Sequence, residues 1–217
     1  MTSSGKTPDE MRPDIIEAML THVPFDGWTP IAITRAAADL KIDRAMIGLA
    51  FPGGALEMIG WFSAEADRVM SENLAAEHIE SLKIRERITL AVRRRIEHNT
   101  PQREAARRAL TLLALPQNAA LGAKLAWNTA DAMWRAAGDT STDYNYYSKR
   151  TILAGVFSAT LLYWLNDDSD GAADTWAFLD RRIEGVLAFE KAKARLSRIG
   201  ESGKDFVRGL GKLRYGA

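Results

Sequence analysis

Apolar positions recur along this chain at spacings of three and four, and no stretch alternates apolar and polar residues over a strand length. That period belongs to helices, so the pattern predicts an all-α protein. A first helix is expected over 8–22 with Ile15, Ile16, Met19 and Leu20 inward, ended by Pro24 and Gly27. Two short helices follow, over 30–39 and from Asp43, a capping residue, to Phe51, with Leu40-Lys41-Ile42 as a tight turn between them. After the break at Pro52-Gly53-Gly54 a longer helix covers about 55–80, with Leu56, Ile59, Phe62, Ala66 and Val69 on one face. Further helices are expected over 83–98, 102–114 and 117–137, the last closed by Gly138. An eighth runs to about Leu165 and a ninth over 172–195. The domain boundaries predicted are 1–80 for small N-terminal helices, 81–195 for a larger helical domain and 196–217 for a tail.

The 217 residues are 47% hydrophobic, enough to bury a sizeable core. Cysteine is absent, which excludes disulfides and thiolate chemistry. The N-terminus has no apolar segment of the secretory kind. The apolar run Ile152–Leu165 falls short of a membrane span and reads as a buried helix. The net charge is +1, but residues 85–108 hold eight Arg against three Glu, a local balance of +5. Such a patch is able to attract partners.

The three His (His22, His78 and His98) fall in no metal-ligand spacing, and no phosphate loop or nucleophile elbow is present. The expectation is therefore no catalysis, no cofactor and no metal. The short helices over 31–62 resemble the helix-turn-helix of TetR-type regulators. Their second helix offers Arg44 and little else to a phosphate backbone, so no nucleic-acid partner is expected. A ligand-responsive regulator of TetR type is the alternative reading.

Two stretches carry more. Along the eighth helix Tyr146, Arg150, Leu153, Phe157, Leu161 and Trp164 share one side, while Tyr147, Thr151, Gly155 and Ser158 share another. On the residues alone, Arg150 either rims a greasy cavity as a head-group cation or pairs with a nearby Asp above plain core. In the tail, Leu196, Ile199, Phe206, Val207, Leu210 and Leu213 recur at helical spacing among six Lys/Arg. That is a basic amphipathic helix suited to an anionic membrane surface.

Residues Met133–Ala154, MWRAAGDTSTDYNYYSKRTILA, resemble the signature of the coenzyme Q biosynthesis accessory family, and DTWAFLDRRI from Asp174 resembles its next motif. The resemblance covers about 117–190. It implies a TetR-like bundle of about nine helices with a degenerate helix-turn-helix, a homodimer without DNA binding, and a C-terminal amphipathic helix on the membrane. It implies a bound isoprenoid quinone precursor or phospholipid in a C-terminal cavity, with Arg150 by the head group. The cavity residues expected with it are Trp127, Met133, Leu153, Val156 and Phe157, then Leu161, Trp164, Leu179 and Ile183, between helices seven, eight and nine. It implies further that the chain assists the demethoxyubiquinone hydroxylase through a surface holding Tyr146 and Tyr147, with Asp143 beside them. Members often carry Trp where this chain has Tyr146. The expected location is cytoplasmic, peripheral to the inner membrane (the matrix side in a mitochondrion).

Overall fold

A computed structural model describes residues 5–139 and 144–186, and these are helical with no strand among them. A short 3-10 turn, Asp9–Met11, leads into α1 (Arg12–Asp26). Then come α2 (Pro30–Leu40), α3 (Arg44–Ala50), α4 (Gly54–Ala76), α5 (Ile84–Glu97) and α6 (Arg103–Leu113). The bundle is completed by α7 (Ala119–Ala136), α8 (Tyr144–Trp164) and α9, helical over 173–186. Among the described residues no single helix is long and apolar enough to cross a membrane.

Pro24 does not end α1. The helix runs through it to Asp26 and stops at Gly27, whose φ of 69° is left-handed. A proline this near the C-terminus removes one hydrogen bond of the ladder, and α1 is held by its packing on α2 and α6. Asp43 caps α3 as expected, its carboxylate accepting from the Ala45 amide at 2.7 Å. On α4 the buried positions are Met58, Ile59, Ala66, Asp67, Met70 and Leu74, so the inward face is rotated from the one read off the sequence. Leu56, Phe62 and Val69 are only half-buried.

Two apolar groups form the core. One joins α1, α2 and α3 to the start of α4 and one face of α6, and the Trp28 indole N–H ties them by donating to the Ala105 carbonyl at 3.1 Å. The other joins the end of α4 to α5, α7, α8 and α9. The helix α4 runs through both.

The arginine-rich stretch has partners within the molecule. Arg87 donates to the carbonyls of Glu80, Leu82 and Ala137. Arg103 donates to those of Trp164 and Asp167, and Arg107 to that of Leu165, at the end of α8. Cations there satisfy the free carbonyls of a helix C-terminus and its dipole. Three of the eight arginines of the expected partner-attracting patch thus serve carbonyls, and Arg85, Arg93, Arg94 and Arg108 are paired with Glu.

Gly138 closes α7 as expected. Its N–H bonds Arg135 O and the Asp139 N–H bonds Trp134 O, both at 2.9 Å, the paired bonds of a Schellman cap. Its φ is 88°, and an added Cβ would lie 3.3 Å from Arg87 Nη1. Gly138→Ala is therefore expected to cost about 1–2 kcal/mol, visible as a melting temperature lower by several degrees; an unchanged melt would contradict the cap.

Candidate functional site

The Schellman turn brings Asp139 back over the first turns of α8. Asp131, two turns earlier on α7, faces the same space. Between them lies Arg150, 1% exposed. Its Nε donates to Asp131 Oδ1 at 2.6 Å, and its Nη1 donates to Asp139 Oδ2 and to Tyr146 O, both at 3.2 Å. The guanidinium carbon sits 3.5 Å from the centroid of the Tyr146 ring, whose hydroxyl donates to Asp131 at 3.1 Å. Lys149 reaches Asp139 at 3.0 Å, and Arg135 pairs with Asp131. Of the two readings of Arg150, head-group cation or partner of a nearby Asp, this geometry matches the second: its Nε and Nη1 donate to two carboxylates.

Burial alone would raise the Asp131 pKa. Hydrogen bonds from Arg150 and Tyr146 and the charge of Arg135 outweigh burial and hold it below its usual value. For Arg150, burial works against the charge, and the bonds to Asp131 and Asp139 win, raising its pKa. Asp167 is held lower still by hydrogen bonds from Ser169 and Thr175. A carboxylate with a depressed folded pKa stabilises above its unfolded pKa and stops doing so as pH falls through the folded one. Melting temperature is therefore expected to fall as pH drops below about 4. Asp131→Asn should flatten that fall while lowering the melt at neutral pH; an identical acid limb would contradict the assignment.

Asp131 and Arg135 line an open, more polar space of about 610 Å³ between α4 and α7; a mostly apolar cavity lies elsewhere. About 380 Å³ opens between α4, α6, α7 and α8, within the range of small-molecule sites. Phe157 and Leu161 line it, as expected, facing Ala106 and Leu110 of α6 and Leu125 and Ala126 of α7. Ala119, Ala123 and Leu162, all exposed, mark where it meets solvent. The space exists because Ala106, Ala109, Ala119, Gly122, Ala123 and Ala126 are too short to fill it.

The other expected cavity residues are placed differently. Met133, Leu153, Val156, Trp164, Leu179 and Ile183 are buried against one another and do not line the space. The expected cavity lies among α7, α8 and α9; the one that Phe157 and Leu161 line is walled by α7 and α8 together with α4 and α6. The physical reason is that, of the α8 row, Phe157 and Leu161 face the small alanines of α6 and α7 across this space, whereas Leu153 and Trp164 are packed in filled core. Trp127 is half-buried and stacks on Tyr147 with centroids 6.2 Å apart. Tyr147 is 62% exposed and meets Tyr146 edge-on at 5.1 Å. Asp143 and the tail residues Leu196, Ile199, Phe206, Val207, Leu210 and Leu213 lie outside the described residues.

A polar group at the cavity wall escaped the sequence reading. Asp67 of α4 is buried and accepts from Arg95 Nε at 2.6 Å and from the Thr129 hydroxyl at 3.0 Å. Arg95 also donates to Ser63 O and Oγ at 3.2 Å. Burial raises the Asp67 pKa, with Arg95 and Thr129 opposing it. Arg95, Asn99, Thr129 and Ser63 all line the cavity. The signal was present: Ile88, Val92, Arg95 and Asn99 fall on one helical row.

A family model described as COQ9 matches residues 119–190. The ubiquinone biosynthesis protein COQ9, mitochondrial, of Rattus norvegicus is 32% identical over 212 residues, 94% of this chain and 67% of that protein. The Xenopus laevis protein COQ9-B is 30% identical over 204 residues, 91% of this chain and 69% of that protein. This chain thus spans about two thirds of their length. Among solved structures, a TetR transcriptional regulator from Nitrosomonas europaea superposes with a TM-score of 0.68 at 20% identity, covering 81% of this chain and 97% of that one. At that identity the likeness is one of fold.

Proposed function

This chain belongs to the COQ9 family and has a role in ubiquinone biosynthesis, and from that premise we propose that it is a non-catalytic lipid carrier of the pathway. It holds the isoprenoid chain of a quinone precursor in the cavity between α4, α6, α7 and α8 and presents it to the demethoxyubiquinone hydroxylase. The observation that carries this reading is the cavity itself, about 380 Å³ with mostly apolar walls and exposed residues at one end. An apolar chain passes from bilayer to such a space at little cost, since both environments spare it the roughly 25 cal/mol per Å² of contact with water.

The membrane helix of the tail and a homodimer belong to the same proposal. On α8, Thr151 and Gly155 form a small exposed patch open to a second copy. The exposed face of α3 carries Arg44 as its one cation, which supports a chain without a nucleic-acid partner. Mixed with vesicles carrying a fluorescent isoprenoid alcohol, the chain is expected to withdraw it; no withdrawal sinks the cavity reading.

For docking, the exposed aromatic surface of Tyr147 and Trp127 is the proposed contact with the hydroxylase. The two tyrosines should separate. Tyr147→Ala is expected to weaken capture of the hydroxylase with the melting temperature nearly unchanged. Tyr146→Ala is expected to lower the melt, because its ring lies under Arg150 and its hydroxyl serves Asp131. Equal melts for both variants would contradict this division.

A further inference from the structure

Among the described residues, two buried polar atoms at the cavity wall have no hydrogen-bond partner: Arg95 Nη1 and Asn99 Oδ1. Both residues are buried, with Arg95 4% and Asn99 3% exposed. A buried polar group left unpaired costs on the order of 1–3 kcal/mol, and such groups in a native fold call for a physical account. One of these atoms donates and the other accepts. They lie a helical turn apart on the row that runs off the end of α5, and both residues line the same apolar space.

The charge of Arg95 is already balanced. Asp67 accepts from its Nε at 2.6 Å, and that pair is enclosed by Ser63 and Thr129. A second anion beside it would leave a net negative charge in a place with little water to screen it. A neutral oxygen suits the free Nη1 better. If the same head group also donates, it satisfies Asn99 Oδ1. The Asn99 side chain makes no capping bond to the turn that follows α5, so the fold does not draw on its polarity.

We propose that Arg95 and Asn99 form the recognition site for the polar end of the cavity's ligand, and that this end is a neutral hydroxyl- or carbonyl-bearing group on an apolar chain rather than a phosphate. The inference rests on the carrier reading above and adds to it which end of the ligand goes where. The oxygen-bearing head lies inside, against α5, and the hydrocarbon chain leads past Leu110 and Leu125 toward Ala119, Ala123 and Leu162. The buried cation that meets the ligand is Arg95. Arg150, sealed between Asp131 and Asp139, does not meet it.

The test uses the full chain and three probes that share one hydrocarbon skeleton: farnesol, farnesene and farnesyl phosphate, each partitioned from neutral vesicles. The wild-type chain is expected to hold farnesol about tenfold more tightly than farnesene, and more tightly than farnesyl phosphate. Asn99→Leu, close in shape but without the acceptor, is expected to narrow the farnesol preference severalfold, since only the Arg95 contact is left, with an unchanged or higher melting temperature. Asn99→Ala, which adds no bulk, serves as the second variant should the first not fold. Equal holding of farnesol and farnesene by the wild type, or a preference for farnesyl phosphate, overturns the head-group site while the carrier reading stands. So does a farnesol preference that is undiminished in both Asn99 variants. If none of the three probes leaves the vesicles, the carrier reading falls with it.

Discussion

Replacing Arg150 with methionine is expected to destabilise the chain by about 3 kcal/mol and to leave isoprenoid withdrawal by the surviving folded protein unchanged. Removing one partner of a buried ion pair strands the other, at roughly 3–5 kcal/mol. Here two carboxylates are stranded, Asp131 and Asp139, each bonded to the guanidinium. Arg135 and Lys149 stay beside them, which puts the loss at the lower end of that range. For a chain of this size each kcal/mol is about 2–4 °C in melting temperature, so a fall of roughly 6–12 °C is expected by the same scaling. A variant with a wild-type melt and weakened lipid holding would restore Arg150 to the ligand and contradict the geometry. Asp131→Asn combined with Arg150→Met should recover part of the loss, because fewer buried charges are then left unpaired.

The second large effect is on binding. Ala126 of α7 lines the cavity opposite Phe157 and Leu161. Ala126→Phe places a ring in space the apolar chain would fill. If it displaces about 100 Å² of ligand contact, the loss is about 2.5 kcal/mol, between tenfold and a hundredfold in affinity. Stability should change little or rise, since the ring enters a void rather than a filled core. A variant that withdraws isoprenoid as the wild type does would show that the ligand sits elsewhere.

Much of this architecture was legible in the chain. Helix period, the Asp43 cap and the Gly138 stop are local signals, and local physics settles them. The α8 row from Arg150 to Trp164 was also read as one side, and its members are buried together. What periodicity cannot supply is the identity of the facing helix. Leu153 and Leu161 look alike in sequence, yet Leu153 meets filled core and Leu161 meets the alanines of α6 and α7. A cavity is made by side chains that are too small, so its sign was the run of Ala and Gly between 106 and 126, not the large apolar residues. Arg95 was lost within Arg93-Arg94-Arg95, which looks like a solvated charged run. Its partner Asp67 is 28 positions away, and only the packing of α4 on α5 brings the two together.

The most direct test of the central claim is native mass spectrometry of the full chain purified from cells, followed by organic extraction. The account predicts that wild-type protein carries an isoprenoid or related neutral lipid, that Ala126→Phe loses it, and that folded Arg150→Met protein keeps it. Wild-type protein that yields no lipid or quinone species would contradict it.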